Sequence, residues 1–139
     1  MKKNLIIPVV LILLLVSSVF FATRVLFPKH SDLEQKLLLE ANEINKTCPL
    51  IVDDATRLDN AVVYPNNVYQ YNYTLVNLTR NDINPEVAIK SLEPKIIENV
   101  KKDVALKTLK EAFTTLNFSY RDRNGEFVFR IIITPDKYK

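Results

Sequence analysis

Four residue types are scarce or missing in this sequence of 139 residues, which has one cysteine, one glycine, one histidine and no tryptophan. A single thiol cannot form an internal disulfide, and it cannot supply the cysteine ligands of a zinc site or an iron–sulfur cluster. A single glycine excludes the glycine-rich loops that bind phosphates, because such loops need several positions where the backbone approaches the ligand closely. We therefore expect no cofactor and no metal.

Positive and negative charges are nearly balanced along the chain. The formal net charge is +3 at pH 7, and two of the 19 basic side chains are Lys2 and Lys3, so the remaining 17 face 16 acidic ones. Proteins that bind nucleic acid through phosphates carry a marked excess of basic residues on one surface. The composition therefore predicts no nucleic-acid partner.

An uncharged apolar run extends from Leu5 to Ala22. As a helix with a rise of about 1.5 Å per residue it would measure roughly 27 Å, close to the hydrocarbon core of a bilayer at about 30 Å. We therefore predict a signal-anchor transmembrane helix over residues 1–27. A cleaved signal peptide is the alternative, although Phe20 stands where a cut after Ala22 requires a small side chain. We expect a single-pass protein of the inner (cytoplasmic) membrane, with its N-terminus inside and its C-terminal domain periplasmic or extracellular.

A linker and an amphipathic helix are predicted over residues 28–46. The segment Ser31–Glu34 has the spacing of a capping box, which satisfies free backbone N–H groups at a helix start. Apolar residues then recur at steps of three or four, namely Leu33, Leu37, Ala41 and Ile44. This stripe predicts packing against the core of the following domain, with a self-associating stalk as the alternative.

The remaining segment, 47–139, alternates between strand and helix patterns. Strands are predicted over 55–64 and 68–78, and again over 118–121 and 126–134, with Gly125 in the turn of the second hairpin. Between the hairpins, Asn84 and Pro85 predict a helix start, and Pro94 is expected to kink or split that helix. Asp103 is expected to start a further helix, whose inward face consists of Ala105, Leu109, Phe113 and Leu116.

This order of elements predicts the fold class. Two pairs of strands, each with a hairpin-length link, are separated by helices that can cover one face of a sheet. We expect an α+β fold with an N-terminal transmembrane helix, an amphipathic helix, and an antiparallel four-stranded sheet of two hairpins packed on two helices. Residues 47–139 would form its extracytoplasmic domain.

One set of residues resembles a known pattern. It consists of Asn45-Lys46-x-Cys48-Pro49-x-x-Val52-Asp53-x-x-Thr56-x-Leu58, a tyrosine-alternating strand, and later Phe118-x-Tyr120-x-Asp122-x-x-Gly125. The set resembles a recurrent α+β domain of small bacterial membrane-anchored or exported proteins and covers most of residues 44–135. The resemblance implies a location in the bacterial envelope and implies no activity.

Aromatic side chains provide the first candidate interaction surface. Tyr69, Tyr71 and Tyr73 alternate with polar residues, so they share one face of a strand. Such a face typically packs on a core, and in an open pocket it would stack a ligand or a peptide instead. The position of the three rings therefore distinguishes a core from a binding site.

Charged residues and the thiol provide the other candidates. Asp53, Asp54 and Asp59 surround Arg57 in the densest charge cluster, but their spacing matches no calcium loop. We interpret this cluster as a solvated loop that could form part of an interaction surface. Cys48 has no histidine nearby in the sequence to act as a base, so the alternatives are a partly buried side chain and an intermolecular thiol.

The absence of a catalytic set and the apolar N-terminal run together predict a function. We expect a non-enzymatic envelope protein, an accessory or assembly subunit of a membrane protein complex that contacts the membrane and other envelope proteins and can form a homo-oligomer. The alternative is an extracytoplasmic domain that binds a small ligand or a peptide, or a secreted protein after signal cleavage.

Overall fold

The computed structural model describes residues 32–139. Helix α1 spans Asp32–Thr47, α2 spans Pro85–Lys102, and two short helices follow, α3 at Lys107–Glu111 and α4 at Pro135–Tyr138. The strands are β1 at Leu50–Ile51, β2 at Thr56–Tyr64, β3 at Val68–Leu75, β4 at Thr115–Arg121 and β5 at Phe127–Ile133. The predicted transmembrane helix lies outside the described residues. Between residues 32 and 139, no helix is both long enough and apolar enough to cross a bilayer.

The five strands form one mixed sheet in the order β1-β2-β3-β4-β5. Both predicted hairpins are present, since β2 pairs antiparallel with β3, and β4 pairs antiparallel with β5. The two central strands, β3 and β4, are parallel, with Tyr71 opposite Phe118. A parallel pair needs a long crossover connection, and the segment that contains α2 and α3 provides it.

The α+β class is thus confirmed, but the predicted four-stranded antiparallel sheet is wrong in two respects. The long connection between the hairpins brings β4 back in the same direction as β3, and the local turn patterns do not reveal this pairing. The additional strand, β1, has only two residues that pair with Leu58 and Arg57. A pair of residues is too short to produce an alternating pattern in the sequence.

One face of the sheet carries the core. It presents the tyrosines of β3 and the opposed apolar residues of β4 and β5, and it is covered by α1 and α2. The buried set is Leu37, Ala41, Leu58, Ala61, Tyr69, Tyr71, Leu75, Val100, Leu109, Leu116, Phe118, Tyr120, Val128, Phe129, Ile131, Ile133 and Tyr138. The prediction that the stripe of α1 packs on the domain core is confirmed by Leu37 and Ala41, which are 1% and 4% exposed.

The region between the hairpins was predicted correctly at Asn84 and differs from the sequence predictions at Phe113. Asn84 caps α2 as expected, because its side chain accepts N–H groups from Glu86 and Val87. Pro94 was expected to kink or split this helix, and the helix continues through it to Lys102 without a split. Pro94 is exposed, so the carbonyl that its ring leaves without an N–H partner can bond to water.

Phe113 is the point of difference. It was expected to face inward on a helix, but α3 ends before it and Phe113 is 57% exposed with φ of 53°. The N–H of Phe113 donates to Lys110 O and the N–H of Thr114 donates to Leu109 O, which is the Schellman pattern of a helix end. The left-handed residue of this motif turns its side chain away from the core.

Candidate functional site

The tyrosines of β3 stand in a row of stacked rings on the core face of the sheet. Tyr71 stacks on Phe118 with ring centroids 5.4 Å apart, and Tyr73 stacks on Tyr120 at 5.1 Å. Tyr120 in turn stacks on Phe129 at 4.6 Å. The parallel β3–β4 register places these rings opposite one another, so the row crosses three strands. We call these five rings the aromatic row.

A cavity of about 490 Å³ lies over part of this row. Its floor is formed by four rings of the aromatic row together with Leu58 and Leu75, and its walls come from the end of α1, from β1, from α2 and from the segment before α3. The lining residues on the walls are Ile44, Thr47, Leu50, Val52, Asp53, Thr56, Leu92, Ile96, Asn99, Val100, Asp103, Ala105 and Leu106. We call this cavity the aromatic groove. Its volume falls in the range of about 300–1,000 Å³ that is typical of ligand sites.

Exposed apolar residues lie at one side of the aromatic groove. Leu50 and Val52, both lining residues, are 48% and 55% exposed. Ile51 lies between them and is 64% exposed. A run of three exposed aliphatic residues beside an apolar cavity is typical of a surface that contacts another molecule.

The hydroxyl of Tyr71 has no hydrogen-bond partner among the described residues, although it is buried. The side chain lines the aromatic groove and the residue is 6% exposed. Burial raises the pKa of Tyr71, so the hydroxyl stays protonated and can donate. Buried polar groups are normally paired, and an unpaired hydroxyl costs about 1–3 kcal/mol. The hydroxyl of Tyr69, which does not line the groove, is likewise buried and without a partner among the described residues.

The neighbouring tyrosines differ from Tyr71 in their surroundings. Tyr73 is partly exposed and lines the same groove, and burial likewise raises its pKa. Burial raises the pKa of Tyr120 to about 12, with a further contribution from the Asp53 carboxylate. Tyr69 is fully buried and does not line the groove. Tyr69 is therefore part of the core alone, whereas Tyr71 and Tyr73 pack on the core and also line the groove.

The predicted charge cluster is also divided by the structure. Arg57 Nε donates to Asp59 Oδ1 at 2.6 Å, and Thr74 Oγ1 donates to Asp59 Oδ2 at 2.6 Å. Thr74 follows Tyr73 in β3, so this pair lies on the face of the sheet opposite the rings. Asp53 instead lines the aromatic groove, and Asp54 is exposed beside it. The structure thus joins Asp53 to the tyrosines and separates it from Arg57 and Asp59.

The thiol and the carboxylates show no arrangement for metal binding or nucleophilic chemistry. Cys48 is partly buried, and burial together with the Asp59 carboxylate raises its pKa. A raised pKa disfavours the thiolate, which is the reactive form. Across residues 32–139, no three His, Cys, Asp or Glu side chains are grouped as metal ligands would be.

Sequence reasoning missed the groove residues that lie outside the strands. Asn99, Asp103, Ala105 and Leu106 reach the cavity from the end of α2 and the segment after it. Their polarity and spacing carry no pattern that distinguishes them from a solvated helix end. Asn45 was noted only as part of the resemblance, yet its side chain forms two hydrogen bonds with the backbone of Ala61 and fixes the α1 wall.

A family comparison matches residues 32–129 to a family described as a domain of unknown function, DUF8479. The chain belongs to this family. The match confirms the expected resemblance to a family that carries no assigned function. No curated protein matches the chain.

Three solved structures share the fold. A protein of Pseudomonas aeruginosa, described as secreted, is 12% identical to this chain and superposes on it with a TM-score of 0.66. The superposition covers 78% of this chain and 94% of the Pseudomonas aeruginosa chain. The pilotin EpsS of the Vibrio vulnificus type 2 secretion system is 11% identical with a TM-score of 0.55, and the superposition covers 79% of this chain and 98% of EpsS. The type II secretion pilotin AspS of Vibrio cholerae is 12% identical with a TM-score of 0.52, and the superposition covers 76% of this chain and 95% of AspS.

These findings correct the location and function expected from the sequence. We expected a single-pass inner-membrane protein that serves as a membrane-anchored assembly subunit, with an extracytoplasmic ligand-binding domain as the alternative. The three solved structures reported above are secretion-system pilotins and a protein described as secreted. The expected inner-membrane location and the role as an anchored assembly subunit are therefore not retained, and the predicted helix over residues 1–27 lies outside the described residues.

Proposed function

We propose that this chain is a pilotin-like accessory protein that acts by binding a segment of a partner protein in the aromatic groove. The activity is binding without catalysis, and the partner is a component of a secretion system. The observation that carries the proposal is the aromatic groove itself, a cavity of about 490 Å³ whose floor consists of stacked aromatic rings. A largely apolar cavity of this size is typical of a site that binds another molecule.

Two further observations support the proposal. The exposed residues Leu50, Ile51 and Val52 adjoin the cavity, so a partner that enters it also covers apolar surface that water now contacts. Pilotins of two type II secretion systems share this fold over more than three quarters of the chain. A likeness at this identity concerns the fold, and the groove supplies the argument for binding.

In-cell photo-crosslinking tests the proposal directly. The photoreactive residue benzoylphenylalanine is placed at Val52, on the rim of the groove, and separately at Val87, on α2 outside the groove and 64% exposed. We expect a discrete adduct from position 52 that position 87 does not give, with the partner peptide identified by mass spectrometry as part of a secretion-system component. An identical adduct from both positions, or none from position 52, contradicts the proposal.

Self-association of the chain, which the sequence analysis also predicted, stays a prediction. The crosslinking experiment covers it, because an adduct at twice the mass of the chain reports a second copy in the groove. That result would replace the secretion-system partner with another molecule of this protein.

A further inference from the structure

The sheet has two edges, and the edge formed by β5 is the longer one. β1 at one edge has two residues, whereas β5 at the other has seven. β5 pairs with β4 on one side, and within residues 32–139 no strand lies on its other side. Backbone groups along such a side are a template for an added strand unless other groups satisfy them. We call this side of the strand the β5 edge.

The backbone groups of two residues point outward along the β5 edge. In β4, the N–H of Thr115 donates to Asn67 O, which lies on the side of β3. Because N–H and C=O groups of successive residues point to opposite sides of a strand, Leu116 and every second residue after it face β5. The residues of β5 that pair with these are Ile133, Ile131 and Phe129. Arg130 and Ile132 lie between them and therefore direct their N–H and C=O groups away from the sheet.

Three of these four outward groups have no partner among the described residues. The exception is Ile132 O, which accepts a bond from the ammonium group of Lys137 at 3.3 Å. The same ammonium group donates to Glu93 Oε1 at 2.5 Å. A β-bulge beside Phe129 ends the regular edge on the other side. The open stretch is therefore centred on Arg130, whose N–H and C=O are both available.

The side chains beside this open stretch are a cation and two apolar groups. Phe127 and Ile132 are 51% and 48% exposed, and Arg130 between them is also exposed. The guanidinium carbon of Arg130 lies 5.9 Å from the centre of the Phe127 ring, so these side chains share one face of the sheet. Arg130 takes part in none of the ion pairs between described residues. An acidic group from another molecule would supply the missing carboxylate.

A second copy of the chain fits the β5 edge poorly. A symmetric antiparallel pair centred on the open stretch places Arg130 of one copy opposite Arg130 of the other. Like charges that lie directly opposite each other destabilise a strand pair, whereas opposite charges stabilise it. The charge at this position therefore favours a different chain that carries a carboxylate.

We propose that the β5 edge binds an extended segment of a partner protein, which adds a strand to the sheet and places an aspartate or glutamate beside Arg130. Apolar residues of this segment flank the carboxylate on the same face and cover Phe127 and Ile132. The β5 edge is at the opposite side of the sheet from β1, which forms part of the aromatic groove. The inference therefore concerns a second surface and does not depend on binding in the groove.

Peptide selection on the full chain tests the added strand. Random peptides are selected on the wild type, and those that no longer bind Ala105→Trp, which fills the groove from an exposed lining position, are set aside as groove ligands. The others are tested on Ile132→Pro, which removes the outward N–H, and on Ile132→Ala, which keeps it. An edge strand tolerates proline where the N–H points outward. We expect Ile132→Pro to bind these peptides about tenfold more weakly than Ile132→Ala does.

A charge exchange at Arg130 tests the chemistry of the segment. Peptides from the wild type should carry an aspartate or glutamate with apolar residues at alternate positions on both sides. A second selection, on Arg130→Glu, should yield lysine or arginine in place of the acidic residue. Arg123→Glu, in the exposed turn between β4 and β5, is the control and should keep the acidic preference. This comparison decides the inference if circular dichroism shows that Ile132→Pro does not fold.

Three results would overturn the inference. Folded Ile132→Pro that binds the peptides as tightly as Ile132→Ala excludes an added strand, and an unchanged acidic preference on Arg130→Glu excludes the pairing with Arg130. If every selected peptide is lost on Ala105→Trp, the β5 edge binds none of them, and the proposed function of the groove still stands. A wild-type chain that dimerises when folded Ile132→Pro does not would show that a second copy occupies the β5 edge.

Discussion

The side chain of Asn45 forms a two-bond bridge to the backbone of Ala61, with Nδ2 donating to the carbonyl oxygen at 2.9 Å and Oδ1 accepting the N–H at 2.7 Å. The amide thus imitates a strand neighbour for β2 at a point that the two-residue strand β1 does not reach. It also fixes the C-terminal end of α1, which carries the groove residues Ile44 and Thr47. One side chain therefore holds a wall of the aromatic groove against the sheet.

Replacement of Asn45 by alanine should destabilise the protein. Two partly buried backbone groups of Ala61 would lose their partners, which predicts a decrease of about 2 kcal/mol in the free energy of unfolding. Urea unfolding followed by circular dichroism measures the change. Asn42→Ala, at an exposed position of the same helix, is the control and should change the stability by less than about 0.5 kcal/mol. Equal effects of the two variants would show that the bridge contributes nothing.

Two buried tyrosines should respond to the loss of a hydroxyl in opposite ways. Tyr138 OH donates to Thr114 O at 2.8 Å, so Tyr138→Phe leaves a buried carbonyl with one partner fewer. This variant should lower the free energy of unfolding by about 1 kcal/mol. Tyr71→Phe removes a buried hydroxyl that has no partner, so the unbound protein should keep its stability or gain up to about 1 kcal/mol.

Thermal unfolding of both variants checks this prediction, and binding adds a second measurement for Tyr71. The Tyr71→Phe variant should bind a groove ligand as tightly as the wild type, because the ring contacts persist and the buried hydroxyl lies out of the ligand's reach. A Tyr71→Phe variant that is markedly less stable than the wild type would mean that the hydroxyl has a partner in the free protein.

Phe113 holds a left-handed backbone conformation that its side chain does not favour. A non-glycine residue in this region costs about 1–2 kcal/mol, whereas glycine adopts it freely. The ammonium group of Lys139 lies 4.4 Å from the centre of the Phe113 ring and offsets part of that cost. Phe113→Gly should therefore raise the free energy of unfolding by about 0.5 kcal/mol, measured by urea titration. A loss of more than about 1 kcal/mol would show that the exposed ring contributes to folding.

The buried carboxylate of Asp122 makes the stability depend on pH. Burial by itself would raise its pKa, but N–H groups from the backbone, among them those of Arg80, Glu126 and Asn124, lower the pKa below the ordinary value. A carboxyl with a lowered pKa in the folded state stabilises the protein above its pKa in the unfolded chain, about 3.9, and loses this effect as the pH falls through the folded-state value.

Asp122→Asn should therefore be less stable than the wild type at pH 6, and the difference should shrink as the pH falls below about 4. Unfolding midpoints measured from pH 6 to pH 2.5 for both proteins test this dependence. Asp54→Asn, at an exposed aspartate, serves as the control, and its difference from the wild type should be small at every pH. A difference between Asp122→Asn and the wild type that does not vary with pH would contradict the argument.

Local patterns in the sequence were sufficient for most elements and insufficient for their arrangement. The alternation of Tyr69, Tyr71 and Tyr73 predicted a strand with an aromatic face, and the cap at Asn84 predicted the start of α2. Both signals act within a few residues and depend on backbone geometry that neighbours determine. The parallel pairing of Tyr71 with Phe118 depends on contacts 47 residues apart, which no local pattern encodes.

The candidate site was predicted in part for the same reason. Tyr71, Tyr73 and Asp53 were identified from the sequence, and the structure places all three on the aromatic groove. Arg57 and Asp59 lie near Asp53 in the sequence, but strand alternation turns their ion pair to the other face of the sheet. Strict alternation along β5 would place Phe127 on the same face as Phe129, but a β-bulge between the pairs Tyr120–Phe129 and Arg121–Phe127 leaves Phe127 51% exposed.

The affinity of the partner segment for two neighbouring variants tests most directly whether the aromatic groove binds it. The segment identified by crosslinking is made as a synthetic peptide and titrated by fluorescence anisotropy. Ala105→Trp fills the groove, whereas Val104→Trp places the same side chain one residue away, at a position that is 79% exposed and does not line the cavity. Our account predicts that Ala105→Trp weakens binding by more than about tenfold while Val104→Trp changes it by less than about twofold. Equal affinities for the two variants would contradict it.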